Sequence, residues 1–159
     1  MLNLNSVMIG TKQPQALAAF YEKVIGKPAD MVDKENGFFG WQEIAAKVDQ
    51  AMAEQEAEFP ASASWGIGSR LGFAMQRADV LPVSINVNAF DYWVEPDDYI
   101  GKDAVVVTEA EEDHLLSNVA RYFSSLEPIE TIEISRFGRV LKTYRLSLGR
   151  DYRPPENGR

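Results

Sequence analysis

The sequence predicts an α/β protein: a mostly parallel sheet with helices on both faces, a C-terminal antiparallel hairpin, and a βαββ segment in front. Three observations predict it. From Ala61 onward, short apolar runs such as Val83–Val87 and Ala104–Val107 alternate with stretches of helical periodicity. That alternation suits parallel strands buried on both faces. Two strand-like runs, Ile129–Ile134 and Val140–Leu148, flank Arg136-Phe137-Gly138-Arg139, a hairpin signal. The first forty residues follow their own order of strand, helix, strand, strand.

Leu2–Ile9 alternates loosely and reads as a strand, broken by Gly10-Thr11. Thr11 can cap a helix with Pro14 in its first turn, and Leu17, Phe20, Tyr21, Val24 and Ile25 give that helix one apolar face. Gly26 and Pro28 stop it. Ala29–Val32 and the piece starting at Phe38-Phe39 are two more strands, joined through Asn36-Gly37.

The grammar changes near Trp41. Gln42–Glu56 is rich in Ala, Glu and Gln, with Ile44, Ala45, Val48, Ala51 and Met52 on one face, so it reads as an amphipathic helix with a Glu43–Lys47 pair. Ala61–Ile67 reads as a strand leading into Gly66-Ile67-Gly68-Ser69, and Arg70–Arg77 as a helix. After the Val83–Val87 strand comes a loop, Phe90–Lys102, rich in aromatic and acidic residues. Glu109–Asp113 opens a helix with acids in its first turn, and Leu115, Leu116, Val119, Tyr122 and Phe123 form its core face. The last residues, with Pro154-Pro155, form a frayed tail. The domain reading is 1–40, 41–155 and a tail at 156–159.

Bulk properties exclude several function classes. The 159 residues suffice for one domain with its own core. A net charge of −8 argues against nucleic acid and against an anionic membrane face. The absence of cysteine removes disulfides and thiolate metal sites. No apolar run approaches the roughly 20 residues of a membrane span, and no signal peptide is visible, so the chain as written is expected to be soluble and cytoplasmic.

Two resemblances follow from particular stretches. Leu4-Asn5-Ser6-Val7-Met8-Ile9-Gly10, Ala19-Phe20-Tyr21-Glu22-Lys23-Val24-Ile25-Gly26-Lys27-Pro28 and Asn36-Gly37-Phe38-Phe39-Gly40-Trp41-Gln42 resemble the opening of a glyoxalase/bleomycin-resistance (vicinal oxygen chelate) module. Enzymes of that family place a metal ligand in the first strand. Ser6 stands at the matching position here, and the second half of the module is absent.

A second resemblance is carried by Gly40-Trp41-Gln42-Glu43-Ile44-Ala45, Phe90-Asp91-Tyr92-Trp93, Gly101–Val107, Phe123-Ser124-Ser125-Leu126-Glu127 and Tyr144-Arg145-Leu146. Together they are similar to the soluble C-terminal domain of bacterial membrane glycosyltransferases of the dolichyl-phosphate-mannose-protein mannosyltransferase type. In that family the chemistry sits in the membrane portion. The resemblance implies an accessory domain without its catalytic partner, extracytoplasmic in the parent protein, and no cofactor is expected. Gly40-Trp41-Gln42 fits both patterns, which suggests a join there.

Candidate site residues fall in two places. Gly66, Gly68 and Ser69 could hold a phosphate at a helix N-terminus, or simply form a tight strand-to-helix turn. Asp91, Tyr92, Trp93, Glu95, Asp97 and Asp98 combine aromatic faces, which stack on sugar rings, with carboxylates, which accept sugar hydroxyls. The plainer reading is a surface loop pinned by Phe90 and Trp93. His114, the only histidine, has no nucleophile partner in motif spacing. No metal site is expected.

The expected function is therefore a non-catalytic binding module for a glycan or a polyprenyl-phosphate sugar, or a fusion without selected activity. The alternative is a glyoxalase-like metalloenzyme or resistance protein completed by dimerisation, since a homodimer would cover the strand edges of the N-terminal segment.

Overall fold

The computed structural model describes residues 39–83, 94–136 and 138–155. These lie in the compact unit Gly37–Arg159, one of two into which the chain divides. The expected βαββ segment lies outside the described residues up to Phe38. So do Ser84–Trp93, which include most of the Val83–Val87 strand, and the last four residues.

Helix α1, Trp41–Gln55, forms where the apolar spacing requires it. Trp41, Ile44, Ala45, Val48 and Ala51 recur at three- and four-residue steps and are all buried. It ends at Glu56, which turns left-handed (φ 54°), and the Ala57 N–H bonds back to the Met52 carbonyl. Lys47 does not pair with Glu43 as the helical spacing suggests. Its Nζ donates instead to Glu130 Oε2 at 3.1 Å, tying the helix to the sheet.

Strand β1, Phe59–Ser62, follows after a short turn, and helix α2, Trp65–Met75, after another. Strand β2 is only Leu81–Pro82. A short 3₁₀ turn, Pro96–Tyr99, leads to β3, Ala104–Glu109, and then to helix α3, Asp113–Ala120. Strands β4, Phe123–Arg136, and β5, Arg139–Tyr152, are 14 residues each.

The sheet order is β2-β1-β3-β5-β4. β1 pairs in parallel with β2 and with β3, whereas β3–β5 and β4–β5 are antiparallel. The sheet is therefore mixed, which corrects the expectation of a mostly parallel one. The cause is the length of the hairpin. It was expected to span Ile129–Leu148, but it absorbs Phe123–Pro128 and Gly149–Tyr152 as well. Phe123, assigned by sequence to the preceding helix, opens β4 and pairs with Tyr152. Long antiparallel ladders thereby outweigh the brief β1–β2 contact.

Two apolar clusters make the core. The first joins Ile44, Val48, Ile67 and Leu71 of the first two helices to Val105, Val107, Ile132, Ile134, Tyr144 and Leu146. The second joins Val119 and Tyr122 to Phe59, Ala61, Ala104, Val106, Phe123 and Tyr152. Alternate residues of β3 thus serve different clusters, as the two-residue period of a strand dictates. Asp103 fastens one end of the sheet: it pairs with Arg150, and its Oδ1 accepts the Asp151 N–H at 2.8 Å.

No helix among the described residues is long and apolar enough to cross a membrane.

Candidate functional site

Ser64, in an extended conformation, caps α2: its Oγ accepts the Ile67 N–H at 3.4 Å. The helix therefore begins at Trp65, five residues before the sequence-based start at Arg70. This moves Gly66, Gly68 and Ser69 from a strand-to-helix turn into the first turns of the helix. The Gly68 N–H bonds to the Ser64 carbonyl at 2.9 Å, and Ser69 Oγ donates to the Gly66 carbonyl at 3.2 Å.

Gly68 has a packing reason to be glycine. A β-carbon there would meet Ser62 Oγ at 2.8 Å and the Pro82 ring at 3.1 Å, so its absence lets α2 lie close on β1 and β2.

The acidic loop divides. Asp91, Tyr92 and Trp93 lie outside the described residues. Glu95, Asp97 and Asp98 are exposed on the 3₁₀ turn, held by buried Val94 and Pro96. Tyr99 anchors the turn further, with its ring centroid 4.5 Å from that of Phe59 and its hydroxyl donating to the Asp79 carbonyl. Burial, with the nearby Asp79 carboxylate, pushes the Tyr99 hydroxyl pKa up. The Arg77 guanidinium grips Asp79 through two bonds at 2.8 and 2.7 Å and holds its carboxyl below the usual range. No group of three or more metal-ligating side chains occurs among the described residues. His114 is exposed on α3.

A cleft of about 470 Å³ opens elsewhere, between the start of α1 and the outer side of α2. Phe39, Gly40, Trp41 and Gln42 form one wall; Ser69, Arg70, Phe73 and Ala74 form the other. Phe73 is 85% exposed and Phe39 40%. The Arg136 guanidinium stacks on the Phe39 ring at 4.0 Å, which holds that ring at the tip of the β4–β5 hairpin. Beneath the cleft, Trp41 meets the fully buried Tyr144 ring edge-on at 5.2 Å. Burial, with the Glu109 charge, pushes the Tyr144 hydroxyl up to about 12, and Arg70 opposes that shift. The Tyr144 hydroxyl is buried without a hydrogen-bond partner.

Comparison with family models, with curated proteins and with solved structures found no match to this chain.

The site is therefore described by its chemistry alone. Two exposed aromatic rings, a guanidinium, a hydroxyl and an amide face one concavity. Such a set suits a ring with polar substituents, and no nucleophile–base pair occurs among the described lining residues. Of the expected site residues that are described, only Ser69 lines this cleft. Phe39, Arg70 and Phe73 were not singled out by sequence. The signal was available: with Ile67 and Leu71 facing inward, Trp65, Ser69 and Phe73 must share the opposite side of α2.

Proposed function

We propose that this chain is a non-catalytic binding module whose ligand is a glycan or a polyprenyl-phosphate sugar, related to the soluble domain of a lipid-linked-sugar glycosyltransferase. The observation that carries the reading is the cleft, where Phe39 and Phe73 stand exposed beside Arg70, Ser69 and Gln42. Neighbouring aromatic faces left in water favour a partner that covers them. The resemblance of Gly40–Ala45, Gly101–Val107 and Tyr144–Leu146 to that family supports the same reading. So does the arrangement we infer for the fold, helices on both faces of a mixed sheet, which leaves loops and helix ends to do the binding.

The test is titration of the protein with oligosaccharides and with a short-chain polyprenyl-phosphate sugar, read by tryptophan fluorescence or calorimetry. Phe73→Ala is expected to weaken binding about tenfold or more while the far-UV spectrum is unchanged. Trp93→Ala asks the same of the Asp91–Asp98 loop. Saturable binding lost in either variant supports the module and says which surface acts. Binding undiminished in both, or no binding by the wild-type chain, rules the reading out.

A further inference from the structure

Helix α2 lacks the polar face that a surface helix normally turns to water. The chain is 25% charged, yet Arg70 is the only charged side chain in Trp65–Met75. The inner side of the helix is accounted for, since Ile67, Gly68, Leu71 and Gly72 are buried. At about 3.6 residues per turn, Trp65, Gly66, Ser69 and Phe73 form one strip on the other side. Phe73 is 85% exposed and Trp65 62%. A helix apolar on both sides is one that a neighbour covers on both sides.

The spacing along the strip names the occupant. Trp65 stands four residues before Ser69, and Phe73 four residues after it. A two-fold axis through Ser69 therefore sets Trp65 of each copy against Phe73 of the other, so the strip is its own complement. Rows at four-residue steps are also the ridges that interlock when two helices pack. Ser69 is small and exposed, which lets the helices approach at the axis. Its hydroxyl already donates to the Gly66 carbonyl, so covering it strands no donor. Gly66 leaves further room, since a β-carbon there would meet nothing within 4 Å.

Charge and area agree with that occupant and set its strength. Each copy carries a net charge of −8, so two copies repel except where they meet through an uncharged surface. A buried aromatic side chain covers about 150–250 Å², so at these exposures the two rings leave roughly 300 Å² of each copy in water. Four rings then supply about 600 Å², half of the roughly 1,200 Å² at which stable interfaces begin. The backbone and small residues between the rings add to this, which puts the pair among weak, concentration-dependent dimers.

We propose that the outer strip of α2 is a docking surface for a second copy of this chain: two α2 helices pack antiparallel about a two-fold axis at Ser69, with Trp65 of each copy on Phe73 of the other. The pairing does not depend on the saccharide reading. Trp65 is not among the residues that line the cleft, so it can be changed without altering that site. Phe73 belongs to both surfaces, and a neighbouring Trp65 would stand beside the cleft wall that Phe73 forms.

The experiment is sedimentation velocity on the full chain over a concentration series, for the wild type and for Trp65→Ser, Ser69→Glu and Ser69→Lys, with thermal unfolding to check that each variant is folded. The wild type should pass from monomer to dimer with a Kd on the order of 10–100 μM. Added salt should tighten the pair, because it screens the two net negative charges and favours apolar contact. Trp65→Ser should weaken pairing about tenfold or more. Ser69→Glu and Ser69→Lys should each stay monomeric, since like charges would meet on the axis, and the two should pair when mixed. Mixed pairing is the decisive result, because only a contact of Ser69 with its own copy produces it. A wild type that stays monomeric throughout overturns the proposal, and flotation of that monomer with phosphatidylcholine vesicles would assign the strip to a membrane surface instead. Ser69→Glu copies that dimerise like the wild type also overturn it, as does a mixture that fails to pair. Saccharide binding is read separately in Trp65→Ser, whose cleft lining is intact, so either reading can fail while the other stands.

Discussion

Gly40 lies so close to Ile134 that a β-carbon on Gly40 would sit 2.6 Å from the Ile134 Cδ1 atom. Its φ of +79° also belongs to the left-handed region that side chains avoid. One residue thus starts α1, lets the hairpin approach, and shapes one wall of the cleft. Gly40→Ala must strain the backbone and displace Ile134 together. A loss of about 1–3 kcal/mol is expected, seen as a lower denaturation midpoint at unchanged m-value. An unchanged midpoint would show that Ile134 moves aside freely and that the contact does not hold the helix start.

The cap on α2 gives a second expectation. Ser64→Ala removes the oxygen that accepts the Ile67 N–H, the first side-chain bond of the helix. About 1 kcal/mol should be lost, and Ser64→Asp should restore most of it. Chemical denaturation of the three proteins checks the ranking.

How much of this was legible in the sequence depends on what each element is paid to satisfy. α1 was readable because a single apolar stripe decides it: Ile44, Ala45, Val48 and Ala51 have no other periodicity. The start of α2 was misplaced because Gly66 and Gly68 look like a turn, whereas Gly68 serves close packing on Ser62 and Pro82 and Ser64 holds the cap. The hairpin was underestimated because Ser124, Ser125, Glu127 and Glu130 are polar. That is what an edge strand with one wet face carries, and β4 is the edge of the sheet. The cleft as a whole was not legible, although the helical spacing of Ser69 and Phe73 marks its α2 side. Phe39 and Phe73 are 34 positions apart, and only the fold brings them to one concavity. The carboxylates of the 95–98 stretch were visible, but their turn spreads them over solvent rather than gathering them.

Asp103 sets a dependence on acid. Burial raises its carboxyl pKa, but the bonds from Arg150 and from the Asp151 N–H outweigh that and hold it below the usual range. A carboxyl whose folded pKa is depressed contributes stability above its unfolded pKa, near 3.9, and loses it as the pH falls through the folded value. Asp103→Asn should therefore lower the melting temperature at pH 7, and the gap to wild type should narrow below about pH 4. A gap independent of pH would mean that the carboxylate charge is not what Asp103 contributes.

Tyr144 sets the opposite dependence. Its hydroxyl is pushed up to about 12, first by burial and then by the Glu109 charge. In the unfolded chain it titrates near 10. Between those values the unfolded state releases a proton that the folded state keeps, so wild-type stability should fall as the pH rises from about 10 toward 12. Below pH 10 the hydroxyl stays protonated in both states, and its one effect is the cost of lying buried without a partner. Tyr144→Phe keeps the ring and its edge contact with Trp41 while deleting that cost. It should leave the protein as stable as wild type or up to about 1 kcal/mol more stable at pH 7, and flatten the alkaline decline. Paired urea melts at pH 7 and pH 11 decide it. A variant less stable at pH 7 would show that the hydroxyl has a bonding partner in solution and that its burial is not a net cost.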